Sequence, residues 1–484
     1  MLNILFVASE VHPLIKTGGL ADVAGALPTA LKKLKQDVRI LLPAYSSVLQ
    51  KIGSDNLVKL KTLDIDGESI TLWQSDLPGT RVKVILVDIG SFSQREGNPY
   101  VTPEGNDWPD NAQRFYHFCQ AGELIALNNA GLKWQPDLVH CNDWQTGPLV
   151  ALLSRHAQRP ASIFTIHNLA YRGLFSWQTF RDLKMPDDWW HHQSMEFYGQ
   201  LAFIKGGLVY ADTVTTVSPS YAEEIQTSEY GWGLEGLLRY RRDHLHGILN
   251  GIDTDEWHPG RDPHLPHHYH ARTLGNKLKN KLALQQELGL SQDKDKPLLG
   301  FIGRLVDQKG VDLILGALSG LLAGDSCQFV MLGSGMSHYQ SAFEQLAKVF
   351  PGQAATVIGY NEALAHRIES GIDAFLMPSA FEPCGLNQLY SLRYGTPPLV
   401  HSVGGLKDSV IPWSADNNQA NGFAFENYTT QSLLNSINQL LKVYADKKAW
   451  QQLQRNAMAA DFSWKKSAQA YLDIYQGLCA SHTR

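Results

Sequence analysis

Long apolar runs are missing from this chain of 484 residues. No uninterrupted apolar stretch approaches the ~18 residues that a membrane-crossing helix needs. The N-terminus has no basic region followed by an apolar run and a small-residue cleavage site, so no signal peptide is expected. Cysteine is scarce. Cys119, Cys141, Cys327, Cys384 and Cys479 are odd in number, widely scattered and form no C-x-x-C pair. Reduced thiols in a cytoplasmic protein are the simplest reading. Positive charge is not in excess: 42 Lys and Arg against 47 Asp and Glu leave a formal charge of −5, which argues against a nucleic-acid partner. Neither a dinucleotide fingerprint nor a P-loop follows the first strand-like run. What is present is 44% hydrophobic and 18% charged residues, ample for packed cores. The length suits about three ordinary domains or two large α/β domains.

Short apolar runs of strand length recur along the chain. NILFVAS (3–9), VRILLPAY (38–45), VKVILVDI (82–89), LVHCNDW (138–144), SIFTIHN (162–168) and TVTTVS (213–218) make a first series. LLGFIG (298–303), QFVMLG (328–333), ATVIGY (355–360), DAFLMPS (373–379) and PPLVHSV (397–403) make a second. Residues 55–90 alternate in shorter runs and read as extra strands inserted into the first sheet. Helix-sized gaps separate most of the runs, so both sheets are expected to be parallel and doubly wound. Leu20, Val23, Ala24, Leu27, Leu31 and Leu34 follow helical spacing. Pro28 falls among them and predicts a kink or a broken turn. The expected division is a first domain over 1–246, a second over 247–461, and a cleft between them. The Pro- and His-rich stretch 258–271 reads as a solvated linker, since its five histidines lack a metal-ligand pattern. WWHH (189–192) reads as a loop packed by its own aromatics or as a glucan-binding patch.

In doubly wound sheets, ligands sit beyond the carboxyl ends of the strands. That rule points to loops opening with Lys16, Asp143, His167, Arg304 and Glu382. In KTGGL (16–20), Gly18 and Gly19 let backbone N–H groups approach an anion at a helix start, with Lys16 as a point charge. A solvated turn is the rival reading. Arg304 and Lys309 in GRLVDQKG (303–310) set fixed cations at a strand end, as a diphosphate requires, or are plain surface charge. NGID (250–253) could be only a turn, and a single histidine such as His167 is more often structural. In SAFEPCGLNQLYSLRYG (379–395), Glu382 is held extended before Pro383, and a helix is expected from Gly385. A carboxylate beside free amides suits a sugar, or is a helix cap. Together these features ask for a diphosphate joined to a polyhydroxylated group: a nucleotide sugar.

The motifs KTGGLADVAGALP, HCNDWQTG, TIHNLAYRG, TVSPSYAEEI, GLEGLL, LNGID, IGRLVDQKG and PSAFEPCGLNQLYSLRYGTPP run in order along nearly the whole chain. In this the chain resembles the bacterial glycogen synthases and plant starch synthases, retaining glycosyltransferases of the GT-B fold. The resemblance implies two Rossmann-like α/β domains and glucosyl transfer from ADP-glucose to the non-reducing end of an α-1,4-glucan, with no cofactor or metal. Lys16, Gly18 and Gly19 would lie near the diphosphate and the transferred sugar. Asp22 and Asp143 would border the acceptor, and His167 the transferring carbon. Asn250, Glu382, Cys384 and Gly385 would hold glucose hydroxyls, the last two through backbone. Arg304 and Lys309 would neutralise the diphosphate, and Tyr360 would pack on the nucleoside. A second glutamate, carried by many GT-B transferases eight residues after the first, is Tyr390 here. The family also ends in a helix returning to the first domain, for which 462–484 has the spacing.

Retention suggests a carboxylate nucleophile, but Glu382 by analogy sits on the sugar hydroxyls. Front-side attack is therefore favoured, with the leaving phosphate taking the acceptor's proton. UDP-glucose as donor and a catalytically silent glucan-binding relative remain alternatives. A nicotinamide oxidoreductase is a remote one, since no hydride-transfer site is legible. Oligomeric state is not legible either.

Overall fold

The apolar runs form strands that assemble into two large parallel sheets in the computed structural model, which describes residues 1–482. The chain divides into two units. One comprises Met1–Gly251 with the helix Trp464–His482, and the other Ile252–Ser463. The boundary expected at 246/247 would have cut the last strand of the first sheet, Leu245–Gly247.

In the first unit the sheet order is Leu245–Gly247, Thr213–Thr216, Ala161–Ile166, Leu138–Asn142, Asn3–Val7, Asp37–Pro43, Lys83–Asp88, Glu68–Asp76, Val58–Ile65. The strands are parallel as far as Lys83–Asp88, and the last two are added antiparallel. The extra strands of 55–90 thus extend the edge of the sheet. Strands Leu138–Asn142 and Ala161–Ile166 are buried at every position. Such continuous burial is why they read as apolar runs and not as alternating patterns. Helix Gly19–Lys33 runs unbroken through Pro28, which is itself buried with Leu20, Val23, Ala24, Leu27 and Leu31. Of the kink or broken turn expected there, the broken turn does not occur: a continuous apolar face outweighs one missing N–H bond.

The helix Trp464–His482 buries Ala468, Tyr471, Leu472 and Tyr475. Buried His140 bonds the Tyr475 hydroxyl through Nδ1 (2.7 Å) and the Thr165 hydroxyl through Nε2 (2.6 Å). Burial holds the His140 imidazole well below its ordinary pKa, hence neutral. Ser467 Oγ donates to the Leu249 carbonyl (2.6 Å), fixing the start of the same helix.

In the second unit the order is Ala354–Ile358, Gln328–Gly335, Leu298–Leu305, Ala374–Met377, Pro398–His401, Phe423–Phe425, all parallel. Alternate residues feed opposite cores. Leu299, Phe329, Met331, Leu376 and Leu399 pack on one face, and Leu298, Val330, Phe375 and Val400 on the other. This is the period of a strand covered on both sides.

The segment 258–271 corrects an expectation. It has no helix or strand, but Asp262, Leu265 and Tyr269 are buried. Asp262 Oδ2 accepts from His366 Nδ1 (2.7 Å) and from the Tyr394 hydroxyl (2.5 Å). Trp257 lies between the His366 and Tyr390 rings, each 3.8 Å away and nearly parallel. The stretch is a packed strap over the helix Asn387–Arg393, not a solvated linker. Around WWHH, Trp189 is buried and Trp190 packs on Trp177 (4.5 Å) and Phe180 (5.1 Å) of the helix Trp177–Asp182.

Candidate active site

Each large sheet has a place where strand order reverses, and the loops singled out by sequence flank it. In the first unit Asn3–Val7 lies between Asp37–Pro43 and Leu138–Asn142. Beyond its carboxyl end come Glu10 and KTGGL, and beyond the neighbouring strand comes Asp143. In the second unit Leu298–Leu305 lies between Gln328–Gly335 and Ala374–Met377. Arg304 is the last residue but one of Leu298–Leu305 and the turn carrying Lys309 follows it, while Ser379–Gly385 follows Ala374–Met377. These are the switch points where doubly wound sheets hold ligands.

The KTGGL loop is organised by Glu10, which sequence reasoning missed. Glu10 is 3% exposed. Its carboxylate accepts from the Thr17 N–H, the Thr17 hydroxyl (2.6 Å), the Gly18 N–H (3.3 Å) and the Tyr100 hydroxyl (2.6 Å). Ser9 Oγ shares the Tyr100 hydroxyl at 2.8 Å. The Gly18 amide expected to meet a ligand therefore already faces an internal anion. Gly18 itself is extended, and a Cβ there would meet nothing within 4 Å. The fold does not demand glycine at 18. Lys16 Nζ pairs with Asp22 at 2.9 Å, one turn into the helix that starts at Gly19. Asp22, expected beside the acceptor, thus holds the lysine.

Asp143 has a left-handed φ of 58°, rare outside glycine. Its Oδ1 accepts from the His167 N–H (2.8 Å) and, more weakly, the Asn168 N–H (3.4 Å). It therefore ties the loop after one strand to the loop after the next. Burial pushes its carboxyl up to about 7; the two amides oppose this and Glu10 adds to it. Asn142 donates through Nδ2 to the Val7 carbonyl (3.0 Å), which turns its Oδ1 toward His167 Nε2 (2.9 Å). His167 must then carry its proton on Nε2 and donate it, leaving Nδ1 as acceptor. Burial lowers His167 to about 3. It is a neutral, fixed imidazole that serves as a hydrogen-bonding group and brings no cation. Asn250, in the first unit rather than the second, is buried, and its Oδ1 has no hydrogen-bond partner among the described residues.

In the second unit Lys309 Nζ sits 2.5 Å from Glu382 Oε2, and Ser379 Oγ donates to the same oxygen at 3.0 Å. Glu382 is buried and Lys309 half-buried. The two residues assigned to different parts of the ligand form one ion pair here. Arg304 is exposed, with no hydrogen-bond or ion-pair partner among the described residues. Gly385 has φ +73°, and a Cβ there would come 2.4 Å from Gln388 Oε1, so only glycine fits. The helix begins at Asn387, not at Gly385 as expected. Cys384 is buried, and its carbonyl accepts from Gln388 Nε2 at 2.9 Å. Tyr360 is 78% exposed beyond the end of strand Ala354–Ile358, with its hydroxyl turned to Glu362.

Among the described residues, Glu256, Glu362 and His366 could bring ligand atoms within 4.8 Å of one another. His366 is already committed there. Burial alone would lower its pKa, but Asp262 and Glu362 outweigh that and raise it to about 9. A protonated imidazole is a poor metal ligand. No helix among the described residues is long and apolar enough to cross a membrane.

Residues 3–240 match the family model described as starch synthase catalytic domain, and residues 286–457 match glycosyl transferases group 1. A glycogen synthase of Cellvibrio japonicus is 60% identical over 99% of this chain and 100% of its own length. One from Marinobacter nauticus is 51% identical over 100% and 99%. The catalytic domain of starch synthase IV from Arabidopsis thaliana, solved bound to ADP and acarbose, superposes with a TM-score of 0.87 at 33% identity, covering 99% of both chains. A sucrose-phosphate synthase from Thermosynechococcus elongatus shares the fold at a TM-score of 0.62 and 16% identity.

Proposed function

The chain belongs to the glycogen and starch synthase family and is a GT-B glycosyltransferase; from that premise we propose that it transfers glucose from ADP-glucose to the non-reducing end of an α-1,4-glucan, with retention and without a metal. The observation that carries this reading is the switch-point cluster of the second unit. Arg304 is a cation without a protein partner, and Lys309 holds Glu382 by a 2.5 Å ion pair. Cations for a diphosphate thus stand beside a carboxylate for sugar hydroxyls. ADP in the related starch synthase is consistent with the choice of base.

The leaving group is ADP, and its charge grows as the bond to glucose C1 breaks. Lys309, held by Glu382, is a donor in place before the reaction starts, and Arg304 adds a second cation for that charge. Lys16 supplies a further charge, released from Asp22. Glu382 is oriented by Lys309 and Ser379 as an acceptor for glucose hydroxyls, which leaves it no role as nucleophile. The acceptor O4 attacks C1 from the side the phosphate leaves, and its proton passes to the departing phosphate oxygen. Neutral His167, its Nε2 proton held by Asn142, accepts at Nδ1 and steers a hydroxyl near C1. Asn250 Oδ1 takes a sugar hydroxyl in place of its missing protein partner. The location consistent with free thiols at all five cysteines is the cytoplasm.

The test is ADP or UDP release with and without glycogen. Glycogen-dependent release with higher kcat/KM for ADP-glucose is expected. Equal or better kcat/KM with UDP-glucose overturns the donor assignment, and no release with either donor overturns the reaction.

A further inference from the structure

Two aromatic–glycine pairs stand side by side on the first unit. Tyr198-Gly199 forms the two-residue tip between strands Glu196–Phe197 and Gln200–Ala202, with φ of 48° and 78°. Trp232-Gly233, just before helix Glu235–Tyr240, has φ of 54° and 84°. A left-handed pair of this kind is ordinarily served by Asn-Gly or Asp-Gly. A bulky aromatic in that region is an outlier that asks for a reason.

Packing supplies only part of the reason: the Phe197 and Tyr198 rings meet edge to face at 4.8 Å, and much ring surface stays outside. Tyr198 is 82% exposed and Trp232 41% exposed. The two pairs are nonetheless neighbours. A Cβ on Gly233 would come 3.3 Å from Tyr198 Cε2 and 3.0 Å from Phe197 Cζ. Arg172 joins them from the protein side. It donates to the Trp232 carbonyl (2.9 Å), and its guanidinium lies 5.6 Å from the Phe197 ring and 5.8 Å from the Trp232 ring. The Gly199 N–H is held by Glu196 at 2.6 Å. These contacts fix the backbones and leave aromatic surface outside.

The position is informative. Arg172 belongs to the loop that begins with His167, and the Tyr171 N–H closes a turn onto the Asn168 carbonyl (3.2 Å). Tyr171 is also exposed. The patch therefore continues from the His167 loop along the exposed surface of the same unit. Aromatic faces suit the apolar C–H faces of sugar rings, and the tyrosine hydroxyls suit those of the sugar. Arg172 is already engaged by the Trp232 carbonyl, and Lys205 by the carbonyl of Glu196, so the surface fits a neutral polyhydroxylated chain better than a polyanion.

We propose that Tyr198 and Trp232 form a platform for the glucan being extended, binding sugars several units away from the reacting end. The proposal rests on the glucosyl-transfer reading for its kinetic consequence, but not for the binding itself. The platform gives preference for long acceptors over short ones and does nothing for the donor.

The experiment uses the full chain with Tyr198→Ala, Trp232→Ala and Tyr198→Phe. Maltotriose and maltoheptaose serve as acceptors, and maltoheptaose alone is titrated by calorimetry. Each alanine variant is expected to raise KM for maltoheptaose about tenfold, with KM for ADP-glucose and kcat within about twofold of wild type. Maltotriose should be little affected, and Tyr198→Phe should keep wild-type behaviour because the ring face remains. Wild-type maltoheptaose KM in both alanine variants overturns the platform. So does an equal loss for donor and acceptor, which marks a structural role. If the wild-type chain releases no nucleotide at all, the reaction assignment fails separately. The platform then stands on calorimetry: maltoheptaose binding lost in the alanine variants supports it, and binding retained overturns it.

Discussion

Glu10 shows what a residue-level reading of sequence misses. Nothing in SEVHP marks its glutamate, because its role exists only once KTGGL folds back over it. In Glu10→Gln the side-chain amide replaces one acceptor oxygen with a donor. The Thr17 and Gly18 N–H groups and two hydroxyls then compete for one oxygen. Leaving buried donors unmet costs about 1–3 kcal/mol. We expect kcat to fall about tenfold or more with ADP affinity unchanged, as steady-state kinetics beside ADP calorimetry will show. Lys16, Arg304, Lys309 and Glu382 were legible because charge at a strand's end is conspicuous. Their pairings were not, since Lys309 and Glu382 are far apart in sequence. Lys309→Ala removes a cation from ADP and also unpairs Glu382. It should weaken ADP about ten- to a hundredfold by calorimetry, the equivalent of about 1.5–3 kcal/mol. Lys16→Ala should leave ADP affinity within a few-fold and lower kcat by about a hundredfold, if its charge serves only the departing phosphate. Equal loss of ADP affinity in both variants contradicts that division of roles. Glu382→Gln should lower kcat at least about tenfold with the melting temperature unmoved; unchanged turnover means that Glu382 is only a cap.

Elements were read more safely than residues. Buried parallel strands announce themselves as apolar runs, and every such run is a strand. Short strands such as Phe423–Phe425 and the hairpin Glu196–Ala202 were missed, because a few residues carry no period. The helix continues through Pro28 without the broken turn that was one of two expectations, because tertiary packing overrides a local penalty. The strap 258–271 was misread because its anchors, Asp262, Leu265 and Tyr269, are dispersed among exposed histidines. That strap should respond to pH. His366 has an unfolded pKa near 6.5 and a folded value of about 9, so its ion pair with Asp262 contributes fully below pH 6.5. The contribution is lost as pH rises through about 9, a change on the order of 3 kcal/mol. The apparent melting temperature of the second unit should decline over that window, and His366→Gln should flatten the decline. A flat wild-type profile contradicts the assignment.

For the molecule as a whole, the returning helix Trp464–His482 matters most. Tyr475→Phe leaves buried His140 Nδ1 without its partner, at about 1–3 kcal/mol. The first unit should melt earlier while kcat at moderate temperature stays near wild type. Deleting the chain from Trp464 removes a helix that covers His140 and Thr165 and carries no proposed site residue. Soluble expression and activity should both collapse, and a fully active truncation contradicts the packing described. The helix also sets an order of events during synthesis. The second unit is, in covalent terms, an insertion within the first, so it has all its residues before the first does. On the ribosome, the domain made second can finish folding while the domain made first must wait for the final helix to emerge. A chain cut short near its end would therefore contain one mature domain and one permanently unfinished, marked for proteolysis by the gap beside His140.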